Sequence, residues 1–239
     1  MNLILFEPAE VAVPLPRTDP RAEHIIKVLR RAVGDTFDAG LVNGPLGKGT
    51  LTAVTTDALT LTFTWGQPPP PADPITLIIG LPRPQTARDI LRDATALGVT
   101  TLRFVATERS DPNYAASTLW SSGEWRRHCS AGAAQAFATQ LPAVTSGQSL
   151  ATTLSTLPPD SIRLALDNYE ATAPLATCNL LGYKSLVLAL GPERGWGPAD
   201  RADLRAAGFS LVHLGTRVLR LETAVVSALT LGRARLGLL

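Results

Sequence analysis

The sequence predicts an α/β protein in which a small β-rich domain precedes a larger domain built on a parallel sheet. Three observations carry that expectation. Residues 36–65 hold short strand-like runs separated by turn residues. The stretch Gly66-Gln67-Pro68-Pro69-Pro70-Pro71-Ala72-Asp73-Pro74 can continue neither a helix nor a strand ladder, because proline lacks the backbone donor. After that spacer, apolar strand runs alternate with segments of helical period, the pattern of a parallel sheet with helices on both faces. The expected domains are therefore residues 1–70 and 71–239.

In the first domain, Ile25, Ile26, Val28 and Leu29 predict one short helix between Pro20 and Gly34. Thr36–Val42 and Gly49–Val54 read as strands, and Ala58–Trp65 alternates apolar and polar residues over its whole length. Their close spacing suits a small barrel. Lys27, Arg30 and Arg31 form the basic cluster of this domain. From the residues alone, they are either a solvated helix face or a contact for a phosphate backbone.

In the second domain, Ile75–Leu81 is apolar apart from Thr76 and reads as a buried strand. Ala87, Ile90, Leu91, Ala94 and Leu97 then recur at helical spacing until Gly98 stops the helix. Thr101–Ala106 is a strand that opens into the polar loop 107–111, and a helix is expected over 124–137. Ile162–Leu166 is a strand ending in Asp167-Asn168. The stretch Leu186–Arg235 reads as strand, glycine-rich loop, helix, strand, polar loop, helix. Its first helix has Pro198 at the first turn, Asp200 and Asp203 near the positive end, and Gly208 as its stop. Its last helix, Thr223–Leu236, carries Ala224, Val225, Ala228, Leu231 and Gly232 along one side.

Two loops in this stretch, Gly191–Gly197 and Gly215–Arg217, are expected to leave adjacent strand ends. Open α/β sheets bind ligands there. Either loop alone would pass as an ordinary turn. The pair, with Arg217, Arg220 and Glu222 close together, is more specific.

Composition narrows the class. With 45% hydrophobic and 18% charged residues the chain reads as globular. A net charge of +2 does not announce nucleic acid, so any RNA contact must come from local patches. Cys129 and Cys178 lack metal-ligand spacing, so two reduced thiols and no metal site are expected. Met1-Asn2-Leu3-Ile4-Leu5-Phe6-Glu7 has no basic leader and too short an apolar run for a signal peptide. No apolar stretch approaches ~20 residues, so no membrane span and a cytoplasmic location are expected.

Leu190-Gly191-Pro192-Glu193-Arg194-Gly195 matches the motif L-G-P-E-G-G, and Leu214–Ala224 matches L-G-x-R-V-L-R-x-E-T-A. On these motifs the chain resembles the ribosomal RNA small subunit methyltransferase E family of the SPOUT superfamily. His24–Arg30 is similar to the H-x-x-x-V-L-R segment of that family's first domain. The resemblance implies a PUA-like β-barrel, then a parallel-sheet domain whose C-terminal segment threads a trefoil knot. It implies methyl transfer from S-adenosyl-L-methionine to N3 of a uridine in 16S ribosomal RNA, by a homodimer. Leu190, Gly191, Pro192, Glu193, Gly195, Leu214, Gly215, Val218 and Leu219 would hold the cofactor, mainly through backbone. Arg220 would stabilise the uridine anion, with Glu222 orienting it and Arg217 beside it. Lys27, Arg30, Arg31 and Arg109 would contact RNA.

The sequence also departs from the pattern. Arg194 stands where the family has glycine, which would strain any backbone of positive φ by about 1–3 kcal/mol. Thr216 replaces a proline, Arg92–Gly98 lacks a lysine and a glutamate, and Ala134–Ala138 lacks a glutamate and an arginine. The alternatives are therefore the same fold acting on a different RNA, or an RNA-binding assembly factor without catalysis.

Overall fold

The computed structural model describes residues 3–239; Met1 and Asn2, on which part of the leader reading falls, lie outside the described residues. The chain divides into two compact units.

The first unit contains β1 (Ile4–Phe6), β2 (Leu15–Pro16), α1 (Pro20–Glu23), β3 (Thr36–Leu41), β4 (Leu46–Val54) and β5 (Ala58–Trp65). The strands form one sheet in the order β1-β3-β4-β5-β2, with β1 and β3 parallel and the other pairs antiparallel. The expected helix is present as α1, continued by a wider turn over His24–Val28. Arg30, at φ 53°, stands just past that turn. Ile25 from the wider turn joins Phe6, Phe37, Leu51 and Leu59 in the core, which is why the apolar positions recur there. Arg21 closes this core from above. It bonds Asp19 and Glu10 at 2.7 Å each and lies 5.1 Å over the Phe6 ring.

The expected division into two contiguous domains is not what the contacts give. Ser130–Leu141 belongs to the first unit. Ala133 sits in an apolar cluster with Leu3, Leu5 and Val42. The Asn43 N–H donates to the Thr139 carbonyl at 2.8 Å, and the Leu141 N–H donates to Asn43 Oδ1 at 2.9 Å.

The second unit runs through β6 (Asp73–Gly80), α2 (Pro84–Ala96), β7 (Val99–Ala106), α3 (Thr118–Ser121) and the start of α4 (Glu124–Gln135). It resumes with β8 (Ala143–Ser149), α5 (Leu150–Leu154), β9 (Ile162–Leu166), β10 (Ala173–Pro174), β11 (Leu186–Leu190), α6 (Pro198–Ala206), β12 (Ser210–His213) and α7 (Leu221–Leu236). All seven strands are parallel, in the order β10-β12-β9-β11-β6-β7-β8.

β11 is buried along its full length because it lies inside the sheet with a packed layer on each face. Val187 and Ala189 join Leu154 of α5 and Leu204 of α6 on one face. On the other face α7 comes close to β11. A Cβ built on Gly232 would lie 2.9 Å from Leu186 Cδ2. Of the small-residue stripe of α7, Val225, Ala228 and Gly232 are buried within the chain, while Ala224 and Leu231 are only partly buried.

Candidate active site

Three loops leave the C-terminal ends of β9, β11 and β12 and enclose a cleft of about 710 Å³, within the range of small-molecule sites. The strands after which the two glycine loops come, β11 and β12, are not neighbours: β9 lies between them. The expected two-loop site therefore has a third wall, Asp167-Asn168-Tyr169, which the sequence reading passed over as a strand end.

The glycine-rich loop is held by its own geometry. Gly195 has φ +71°, a conformation that only glycine adopts freely. A Cβ on Gly191 would lie 2.9 Å from backbone atoms of Gly195 and Trp196, so the loop folds back on itself there. Arg194 is not among the residues of positive φ. The expected strain at this departure is absent, because the left-handed position is the glycine that follows. Arg194 directs its carbonyl to Arg109, whose Nη1 donates at 3.0 Å. The Glu193 carboxylate accepts the Arg83 N–H at 3.0 Å, and Arg83 precedes the first turn of α2.

Trp196, fully buried, anchors the loop by donating its indole N–H to the Leu166 carbonyl at 3.0 Å. Asp200 accepts from the N–H groups of Gly197 and Glu108, and Glu108 in turn accepts from the Ala199 N–H. The helix start and the 107–111 loop are thereby fixed together.

The third loop rests on an ion pair. Arg201 Nε donates to Asp167 Oδ2 at 2.8 Å, with side chains only 6% and 1% exposed. Asp167 Oδ1 accepts from the N–H groups of Tyr169 and Glu170 at 2.8 and 2.6 Å. Neither Arg201 nor Tyr169 was singled out from the sequence. Asp167-Asn168 at a strand end was the available signal, but it lacks the glycines that drew attention to the other loops.

The loop after β12 is the most open. Gly215, at φ +115°, donates its N–H to His213 Nδ1 at 3.0 Å. His213 is only partly buried and serves as a cap for this turn. Among the described residues, no hydrogen bond uses the backbone N–H groups of Thr216, Arg217, Val218 or Leu219. Leu190, Gly191, Pro192, Glu193, Gly195, Leu214, Val218 and Leu219 all line the cleft, as do Arg217, Arg220 and Glu222; Gly215 turns the chain behind it. Arg217 and Arg220 are exposed, and among the described residues neither has an ion-pair partner.

The expected Arg220–Glu222 bond is not formed. Arg220 caps α7 in extended conformation and Glu222 lies two residues on, a spacing that does not bring side chains together on a helix. Lys27, Arg30 and Arg31 are exposed residues of the first unit, and Lys27 is paired with Glu23 at 2.9 Å. Cys129 and Cys178 are free thiols, and burial pushes both above the usual cysteine range, which makes neither a ready nucleophile.

A family model described as an RNA methyltransferase domain matches residues 68–232. A ribosomal RNA small subunit methyltransferase E from Treponema pallidum (strain Nichols) is 35% identical over 237 residues, covering 95% of this chain and 89% of the relative. The chain belongs to the ribosomal RNA small subunit methyltransferase E family. The fold of this family is visible in solved structures. A probable rRNA-methyltransferase from Porphyromonas gingivalis superposes with TM-score 0.80 at 20% identity, covering 98% of each chain. A ribosomal RNA small subunit methyltransferase E from Neisseria gonorrhoeae, bound to S-adenosyl methionine, gives TM-score 0.76 at 23% identity over 99% of this chain and 98% of that one.

Proposed function

We propose that this protein transfers a methyl group from S-adenosyl-L-methionine to N3 of a uridine in 16S ribosomal RNA. The observation that carries the reading is the cleft itself. Leucines line it, and the backbone N–H groups of Arg217, Val218 and Leu219 make no hydrogen bond among the described residues. Four exposed arginines without an ion-pair partner among those residues, Arg83, Arg194, Arg217 and Arg220, line it as well. Leu190, Leu214 and Leu219 suit the faces of an adenine, and the free amides of 217–219 suit its polar edges or a carboxylate. The cofactor, when bound, supplies an electrophilic methyl group on a sulfonium centre.

The remaining chemistry falls to this chain. Uridine N3 attacks in line as its proton leaves, so negative charge develops over the uracil ring. Arg220, the N-cap residue of α7, is placed to stabilise that charge, helped by the positive end of the helix. Three carboxylates line the cleft. Asp167 is committed to Arg201 and Glu193 to the Arg83 N–H. Glu222 has no partner among the described residues, so it is the group available to take the N3 proton.

The same reading includes a PUA-like barrel for the first sheet, a trefoil knot, a homodimer and a cytoplasmic location. The insertion of β11 between β9 and β6, both earlier in the chain, supports the knot. Lys27, Arg30, Arg31 and Arg109 are the proposed RNA contacts.

The test is nucleoside mass spectrometry on small-subunit ribosomal RNA incubated with protein and S-adenosylmethionine. 3-Methyluridine formed only with both present supports the reading. A different methylated nucleoside would overturn the N3 assignment, and binding of S-adenosylhomocysteine without any methylation would favour an assembly factor.

A further inference from the structure

The mouth of the cleft carries an aromatic side chain that the chemistry above does not use. Tyr169 is 76% exposed, the most exposed aromatic ring among the described residues, although its neighbour Trp196 in the cleft wall is buried. Exposed tyrosines on mobile loops are ordinary, but this one is fixed. Its N–H donates to Asp167, and Asp167 is locked by Arg201. The Arg201 guanidinium carbon lies 5.5 Å from the ring centroid, backing the ring with a buried cation. Its Cε2 edge lies against Gly195, where a Cβ would stand 3.8 Å away. The ring is thus held in place while most of its surface remains in water. Val218, 80% exposed, also lines the cleft, as do the exposed Arg217 and Arg220.

We propose that Tyr169 is the stacking platform that holds the target uracil once it has left the RNA stack. This rests on the uridine-N3 reading above. N3 lies on the pairing edge of the base, so methyl transfer there requires that edge to face the cleft interior. The base must then be turned out of its helix or loop, losing its stacking partners. A π-face at the mouth replaces them, and Tyr169 is the exposed aromatic ring that the cleft offers. The leucines farther in serve the cofactor, which separates the two aromatic ligands by position. A fixed ring also loses little entropy on stacking, whereas the flexible arginines beside it serve phosphate and developing charge.

The experiment compares wild type with Tyr169→Phe, Tyr169→Leu and Tyr169→Ala. The measurements are S-adenosylhomocysteine affinity by calorimetry, small-subunit ribosomal RNA binding with S-adenosylhomocysteine present, KM and kcat for the RNA, and the melting temperature. Stacking worth the usual amount per base predicts that Ala weakens RNA binding and kcat/KM by about tenfold to hundredfold. Cofactor affinity should stay within about twofold and the melting temperature should hold, since an exposed ring supports no core. Phe should retain near wild-type values because stacking needs the ring and not the hydroxyl; Leu should rescue only weakly. Three results overturn the proposal: an Ala variant equal to wild type on RNA, an equal loss of cofactor affinity, or a Phe variant as impaired as Ala. A wild-type protein that binds S-adenosylhomocysteine but methylates no uridine overturns the uridine-N3 reading and this proposal with it. An active wild type with an unimpaired Ala variant overturns the platform alone.

Discussion

Replacing Arg201 with methionine tests whether the third loop is built as described. The substitution keeps most of the side-chain length and removes the cation that neutralises Asp167, a carboxylate 1% exposed. Removing one partner of a buried pair costs about 3–5 kcal/mol, because the remaining charge is left uncompensated. Asp167 keeps two backbone N–H donors, at 2.8 and 2.6 Å, which places the expected loss near the lower end, about 3 kcal/mol. In a protein of this size that lowers the melting temperature by about 6–12 °C. Differential scanning calorimetry with and without S-adenosylhomocysteine is the assay. The cofactor should stabilise the variant less than wild type, since one wall of the cleft proposed to hold it is loosened. Arg205→Met is the control. Its bond to Glu170 is made between half-exposed side chains, so its loss should stay below about 1 kcal/mol. Adding Asp167→Asn to Arg201→Met should recover part of the loss by removing the stranded charge. A melting temperature for Arg201→Met within about 2 °C of wild type would refute the argument.

Arg220→Met should behave oppositely: exposed and unpaired, it should leave the melting temperature and cofactor affinity unchanged while single-turnover methylation slows by about 10²–10³. Loss of cofactor binding in this variant would count against a role confined to the transition state. Gly191→Ala forces a methyl group against loop backbone at 2.9 Å, so S-adenosylhomocysteine affinity should fall at least tenfold, at a cost of about 1–3 kcal/mol in calorimetric stability. Arg88 and His128 hold the Glu124 carboxyl at about 2, well below its ordinary 4.5, so its ionised form is favoured in the folded state. Stability from this cluster is then complete above pH ~4.5 and lost as the pH falls toward ~2. Urea midpoints between about pH 3 and pH 6 should show a flatter acid limb in Glu124→Gln, and identical limbs would remove the cluster from the acid response.

The strands that the sequence announces are those that bury side chains. Leu186–Leu190 is apolar at every position because both faces are covered, and Ala58–Trp65 alternates because one face is. β8, Ala143–Ser149, was missed because it is an almost wholly exposed edge strand, held by backbone pairing to β7 and carrying no hydrophobic period. Strand order was also hidden. Parallel strands joined by long crossovers leave no local trace of their neighbours, so β9 could not be placed between β11 and β12 from their sequences. The helix signals were local and legible: Pro198 opens α6, Asp200 caps it, and Gly208 leaves it at φ +79°. Arg201 in the same helix was not, since a buried arginine is identified only by the carboxylate that meets it, and Asp167 lies 34 residues away. The return of Ser130–Leu141 to the first unit was illegible for the same reason.

Around the cleft, charge separates into two populations. Asp167, Glu193, Asp200, Glu108, Arg109 and Arg201 all make bonds that fix one loop to another. Arg194, Arg217, Arg220 and Glu222 have no side-chain partner among the described residues, and the three arginines are exposed. A cation already paired can offer a substrate little, because its partner must first be displaced; a free one can meet a phosphate or a developing anion directly. The replacement of glycine by Arg194 fits this division. The backbone there has no positive φ to strain, and its carbonyl serves the scaffold through Arg109. The side chain is left over, so the departure adds a cation to the rim of the site without disturbing the loop that forms it.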